Sequence, residues 1–311
     1  MFRGLPRLAA LLVGAAALAC AGTASAQYTS AAGQNAPMAA KSEQTVDALG
    51  KVHTRTVYVP PPRDAHGNAH GNQYDLAVDG AFEGQTVAVL HFYTGEGFDF
   101  SLPRGALAEK GFSVYRWINT APSPEELARG LEKANQLWII SGDRQQLNDK
   151  HLAVIKKFFD AGHGVYIWGD NEPYYADANY VAEALLGAKM LGNLPGNVTV
   201  GVQPAAAQPG VRKGHLVTTG LEHLYEGVTI ATIQPNQTLE PLVHGSAGNL
   251  VTAIYDRGGK RAILDGGFTR LYLSWDQAGT ARYVKNAAAW LANAERFGAA
   301  VVAQKSDKKS K

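Results

Sequence analysis

Between Thr86 and Gly187 the chain alternates short apolar runs with stretches of helical period, and this alternation restricts the fold more than any other feature. TVAVLHF (86–92), FSVYRWI (112–118), QLWIIS (136–141) and GVYIWG (164–169) each read as a buried strand. The intervening PRGALAEKG, SPEELARGLEKA, NDKHLAVIKKFFDAG and ADANYVAEALLG read as helices, with Gly111 closing the first, and Ser123 as N-cap and Pro124 at the first helical position of the second. Four such units in succession require parallel strands joined by right-handed crossovers, with helices on both faces. The expectation is a three-layer α/β/α fold around a mostly parallel, doubly wound sheet. NLVTAIYDRGGKRAILDGGF (249–268) then predicts a hairpin turning at Arg257 to Lys260, and AGTARYVKNAAAWLANA (278–294) a closing helix.

The segments outside this region are of other kinds. Arg3 and Arg7, the apolar LAALLVGAAALAC and then ASA before Gln27 have the layout of a secretory signal peptide over residues 1–26, which is too short to span a bilayer. That layout predicts export to a periplasmic or extracellular compartment, cleavage after Ala26 and no transmembrane segment in the mature chain. Ala17 and Leu18 fit a lipobox poorly, which sets cleavage ahead of lipidation at Cys20. Residues 27–80 are rich in Ala, Gly, Gln, Pro and Asn and predict a low-complexity arm or linker, with TRTVYVPPPR able to add one edge strand. Residues 81–298 form the expected α/β domain, and 299–311 a solvated basic tail.

Arg3 and Arg7 are two of the 29 basic residues, so a chain cut after Ala26 balances 27 basic against 27 acidic side chains. Such a balance argues against nucleic acid as the partner. The single cysteine is Cys20, and cleavage would remove it, leaving no disulfide and no thiol nucleophile.

Several polar groups fall where the strands end. Asp170, Asn171 and Glu172 follow the fourth strand, at the edge where open α/β sheets bind ligands. Their hard oxygens suit a sugar hydroxyl, an ammonium group or a divalent cation, with Asp170 and Glu172 as the metal candidates. No other cofactor is expected. Gly95 and Glu96, in HFYTGEGFDF, should lie on the same edge, as should Asp143 and Arg144 after the third strand. Gly95 and Gly97 permit tight turns whose amides could face an anion, though G-x-G alone is no dinucleotide fingerprint. His215 and His223 could supply an acid or base. DAHGNAHGNQYD gathers Asp64, His66, Asn68, His70 and Asp75 without matching a calcium or zinc spacing. Each group also has a purely structural reading as turn, cap or surface pair.

The order of elements resembles the class I glutamine amidotransferase-like fold, with flavodoxin-like winding, and in particular its ThuA-like branch. The resemblance spans about Thr86 to Phe297. It rests on HFYTGEGFDF, QLWIISGD, KKFFDAGHGVYIWGDN, the His-containing GHLVTTGLEHLYEG and GGKRAILDGGFTRLYLSWDQAGTARYVKNAAAWL. It implies a site at the elbow after the fourth strand, where amidotransferases of this fold carry a cysteine. Here the elbow is WGDNEPYY, with neither Cys nor Ser at the turn. The expectation is therefore a non-catalytic domain binding a small polar ligand or a protein partner. The alternatives are a metal- or carboxylate-dependent hydrolase of a sugar or amide, with Asp170 or Glu172 as base, and a structural module of an envelope assembly.

Overall fold

The structure is a computed structural model and describes residues 28–95, 97–203, 209–275 and 278–297. A ten-stranded sheet runs through the molecule. Its parallel half contains β3 (Thr86–His91), β4 (Ser113–Ile118), β5 (Gln136–Ile140), β6 (Gly164–Trp168) and β14 (Lys260–Asp265), in the order β4-β3-β5-β6-β14. Beyond β14 lie β13 (Leu250–Arg257), β12 (Glu240–His244), β9 (Gly210–Arg212), β8 (Thr199–Gln203) and β10 (His223–Tyr225). Four of the five junctions in this second half are antiparallel; β8 and β9 run parallel. β7 (Met190–Pro195) and β11 (Thr229–Ile233) form a separate two-stranded sheet.

Helices cover both faces, as the alternation predicts. α1 (Ser101–Glu109) packs with α5 (Thr280–Leu291) on one side, while α2 (Pro124–Leu131), α3 (Asp149–Asp160) and α4 (Ala176–Leu186) line the other. Strand residues divide alternately between the two cores: Val87 and Val89 face α1 and α5, and Ala88 and Leu90 face the other three helices. The expected starts and stops are present. Ser123 accepts the Glu126 amide at 3.1 Å as the cap of α2. Gly258 and Gly259, both at positive φ, turn the hairpin between β13 and β14. Among the described residues no helix is long and apolar enough to cross a membrane. The signal-peptide and tail assignments, with Cys20, lie outside the described residues.

The predicted loose arm is corrected in part. Residues 39–59 do project, as a ribbon of β1 (Ala39–Val46) and β2 (Val52–Val59) with Leu49 at its tip 94 % exposed. On either side of the ribbon the chain is packed onto the domain. Ala31, Leu76 and Ala77 are buried, and Asn35 reaches the Thr218 and Leu221 carbonyls at 3.0 Å each. Asp75, wholly buried, holds Arg282 Nε at 2.7 Å and the ammonium groups of Lys110 and Lys285 at 2.9 Å each. Paired charges and side-chain amides make this attachment, so apolar periodicity does not reveal it.

Candidate functional site

The winding reverses at β3, since β4 lies on one side of it and β5 on the other. A crevice outside the carboxyl ends of strands is expected at such a reversal. The loop after β3 and the elbow after β6 both lie at this edge, and they meet. Tyr93 and Tyr174 contact edge to face at 5.4 Å between centroids, and Tyr93 also meets Phe268, from the loop after β14, at 5.1 Å. Phe98 packs on Phe268 and Tyr272. Tyr93, Tyr174 and Tyr272 remain half-buried, so the edge carries a rim of aromatic faces open in part to solvent.

The elbow is tight for a local reason. A Cβ on Gly169 would lie 2.6 Å from Met190 Sδ and 3.0 Å from Tyr175 Cβ. The Asp170 amide donates to the Tyr174 carbonyl at 3.1 Å and the Tyr174 amide to the Asn171 carbonyl at 2.8 Å. Asp170 is 5 % exposed, a carboxylate inside the turn. Asn171 accepts the Thr229 hydroxyl at 2.8 Å, which ties the elbow to β11. Glu172 is exposed, and its amide donates to the Gly192 carbonyl. The two carboxylates named as metal candidates therefore sit in different environments, one inside and one in solvent. Among the described residues no group of three or more His, Cys, Asp or Glu is placed to hold a metal.

The other predicted residues divide. Gly95 is exposed in the loop that carries Tyr93, while Glu96 lies outside the described residues. Asp143 and Arg144 are exposed on the surface after β5. The buried group at that strand end is Ser141, whose hydroxyl accepts the amides of Asp177 (3.0 Å) and Ala178 (3.2 Å) at the start of α4. Asp177 in turn accepts the amides of Gln146 and Leu147, and burial raises its carboxyl above the usual range. His215 is not brought to the elbow. It packs edge-on against Trp290, which Arg261 covers at the amino end of β14, and its Nδ1 accepts the Val217 amide at 3.1 Å. Burial, followed by the charge on Arg212, lowers its imidazole to about 4, which suits a neutral cap.

The histidine-rich loop is fastened to the domain by its Asp and Asn side chains. Asp64 Oδ1 accepts the amides of His66 and Asn68, and Asn68 Oδ1 those of Glu222 and His223. Arg63 pairs with Glu222 across the same junction.

Sequence reasoning missed the buried groups at the same edge. His91, the last residue of β3, is buried against Phe98, and Arg116 Nη1 lies 3.1 Å from its Nδ1. A guanidinium only donates, so Nδ1 accepts and the proton is on Nε2. Burial, then the charge of Arg116, lowers this imidazole to about 4. Next to the elbow strand, Asp265 accepts the hydroxyls of Tyr283 (2.7 Å) and Tyr166 (3.2 Å), and Arg270 Nη2 stands 3.3 Å from its other oxygen. Arg270 is fully buried, and its Nε and Nη1 have no hydrogen-bond partner among the described residues. The Tyr225 hydroxyl is raised above its ordinary value, first by burial, and the charges of Glu226, Arg270 and Asp170 also act on it. The Gly-Gly of LDGGF was the available signal, because a Cβ on Gly267 would lie 2.3 Å from Arg270 Nη2.

No family model matches the chain, and no curated protein matches it. Solved structures do. A GMP synthase-like protein of Thermoplasma acidophilum is 11 % identical, with a TM-score of 0.45, over 68 % of this chain and 96 % of its own. A ThuA-like protein of Parabacteroides merdae is 11 % identical, with a TM-score of 0.44, over 68 % of this chain and 90 % of its own. The exo-beta-1,4-mannosidase Op5Man5 of Opitutaceae bacterium strain TAV5 is 15 % identical, with a TM-score of 0.37, over 67 % of this chain; the match spans 36 % of that enzyme. What these likenesses concern is the course of the α/β chain.

Proposed function

We propose that this chain is an exported, non-catalytic domain that binds a small polar ligand, of the polyhydroxylated kind, at the carboxyl edge of its sheet. The observation that carries this reading is the rim of half-exposed rings, Tyr93, Tyr174 and Tyr272, that borders the polar elbow at Asp170 to Glu172. Aromatic faces receive the apolar side of a sugar ring, and carboxylate and carboxamide oxygens accept from its hydroxyls. The elbow supplies Asp170 and Asn171 where a thiol chemistry would need a cysteine, so the reading assigns recognition and not covalent catalysis to this edge. Export rests on the sequence layout of residues 1–26.

The test is binding of a panel of mono- and disaccharides, with and without calcium or magnesium, followed by calorimetry and by thermal shift. Wild type should bind at least one sugar, and Tyr174→Ala should lose most of that affinity while keeping its fold. A panel with no binder, or a binder unaffected by Tyr174→Ala and Asp170→Asn, would remove this edge as the site. Turnover of a bound sugar that Asp170→Asn abolishes would instead establish the carboxylate hydrolase.

A further inference from the structure

The ten-stranded sheet ends at β4, whose outer side no other strand among the described residues covers. The Ser113 amide donates to the Gln85 carbonyl and the Asn119 amide to the His91 carbonyl. Alternation then turns the odd-numbered residues of β4 toward β3 and leaves the backbone groups of Val114, Arg116 and Ile118 facing outward. The Ile118 carbonyl is taken by the Thr120 amide, which closes the upper end of the strand. Below it the edge carries no proline, and no strand of the described residues pairs with it. Tyr115 and Ile118 stand 49 % and 48 % exposed beside it. Natural sheets ordinarily blunt such an edge, and an unblunted one is a template for another strand.

Beside the strand runs a groove of about 490 Å³, lined by Tyr115 and by Glu126, Arg129 and Lys133 of and just beyond α2. The helix is polarised along its length. Glu125 and Glu126 stand at its start, and Arg129 and Lys133, with the C-cap Glu132 between them, toward its end, where the net charge is positive. Trp117 Nε1 donates to Glu126 at 3.0 Å and fixes that carboxylate at the sheet edge.

We propose that β4 pairs with β4 of a second copy of this chain around a two-fold axis at Tyr115. In that register Val114 exchanges backbone hydrogen bonds with the partner's Arg116, and the two Tyr115 rings meet across the axis. The two-fold also reverses α2, so the acidic start of each helix lies beside the basic end of the other. A surface whose charge changes sign along its length in this way is complementary to itself only under such a reversal, which favours a second copy over an unrelated strand.

Sedimentation of the full chain tests the pairing. Wild type should have twice the mass of the chain, and Tyr115→Lys, which sets two ammonium groups against each other at the axis, should halve it while keeping the wild-type circular dichroism spectrum and a cooperative melt. Glu125→Lys/Glu126→Lys and Arg129→Glu/Lys133→Glu should each be monomeric alone, and their mixture should recover the dimer. Tyr115→Cys in a Cys20→Ser background should cross-link on oxidation. A monomeric wild type would leave the edge to an extended segment of some other protein and overturn the proposal; a dimer indifferent to Tyr115→Lys would overturn it equally.

Discussion

Tyr174 of the elbow and Tyr93 of the loop after β3 meet edge to face at 5.4 Å, and this contact joins the loop at the reversal of the sheet to the elbow two strands away. An aromatic pair of this geometry contributes about 0.5–1.5 kcal/mol beyond the area it covers. Tyr174→Ala should therefore lower stability by about 1–2 kcal/mol, and Tyr174→Phe should restore most of it. Chemical denaturation of the three proteins checks this. Equal loss in both variants would mean that the hydroxyl, not the ring contact, holds the loop.

Asp170 lies inside its turn, and its replacement by Ala should cost about 1–3 kcal/mol, the range for buried polar partners left unmatched. An exposed turn residue would cost under about 0.5 kcal/mol. Urea midpoints at neutral pH decide between them.

Asp75 should be the most sensitive single position. Three cations converge on it in the interior, so Asp75→Ala leaves buried charge without its counterion. A loss of about 3–5 kcal/mol is expected. Excision of the ribbon has the opposite expectation. Ala39 and Val59 are cross-strand neighbours, so a short glycine linker in place of residues 39–59 should leave the melting temperature nearly unchanged. Deletion through residue 80 removes Asp75 and Leu76 as well and should unfold the domain.

His91 and His215 give the protein an acid-side weakness. Each has a folded-state value near 4 against an ordinary 6.5, so the unfolded chain binds the proton first as pH falls. Their contribution is complete above about pH 6.5 and is lost progressively as pH drops toward 4. His91→Asn and His215→Asn keep an acceptor near the Nδ1 position and do not titrate. Stability of the double variant should fall less than that of wild type between pH 6.5 and 4, and parallel curves would refute the assignment.

The parallel half of the sheet was legible because its central strands β3, β5 and β6 are short and mainly apolar and because boundary residues such as Ser123 and Gly111 mark helix ends between them. The stretch from Met190 to His244 was not. Its strands are short, several are half-buried, and they pair across long separations, so neither period 2 nor period 3.6 persists. At the candidate site, Asp170 and Asn171 were visible as polar residues in an abrupt turn. His91 was hidden at the end of an apolar run, and Asp265 and Arg270 are a buried ion pair in a place where hydropathy predicts neither. His215 was visible but misleading, since a cap on a turn and a ligand at a pocket have the same residue type.

Asp75 also orders events in time. Arg282 and Lys285 lie more than two hundred positions downstream, so a chain synthesised from its amino end carries this carboxylate with only Lys110 to answer it until the last helix emerges. An early segment of the described chain is thus locked by a late one, and a nascent chain that has not reached α5 remains open to threading, to chaperones and to proteases.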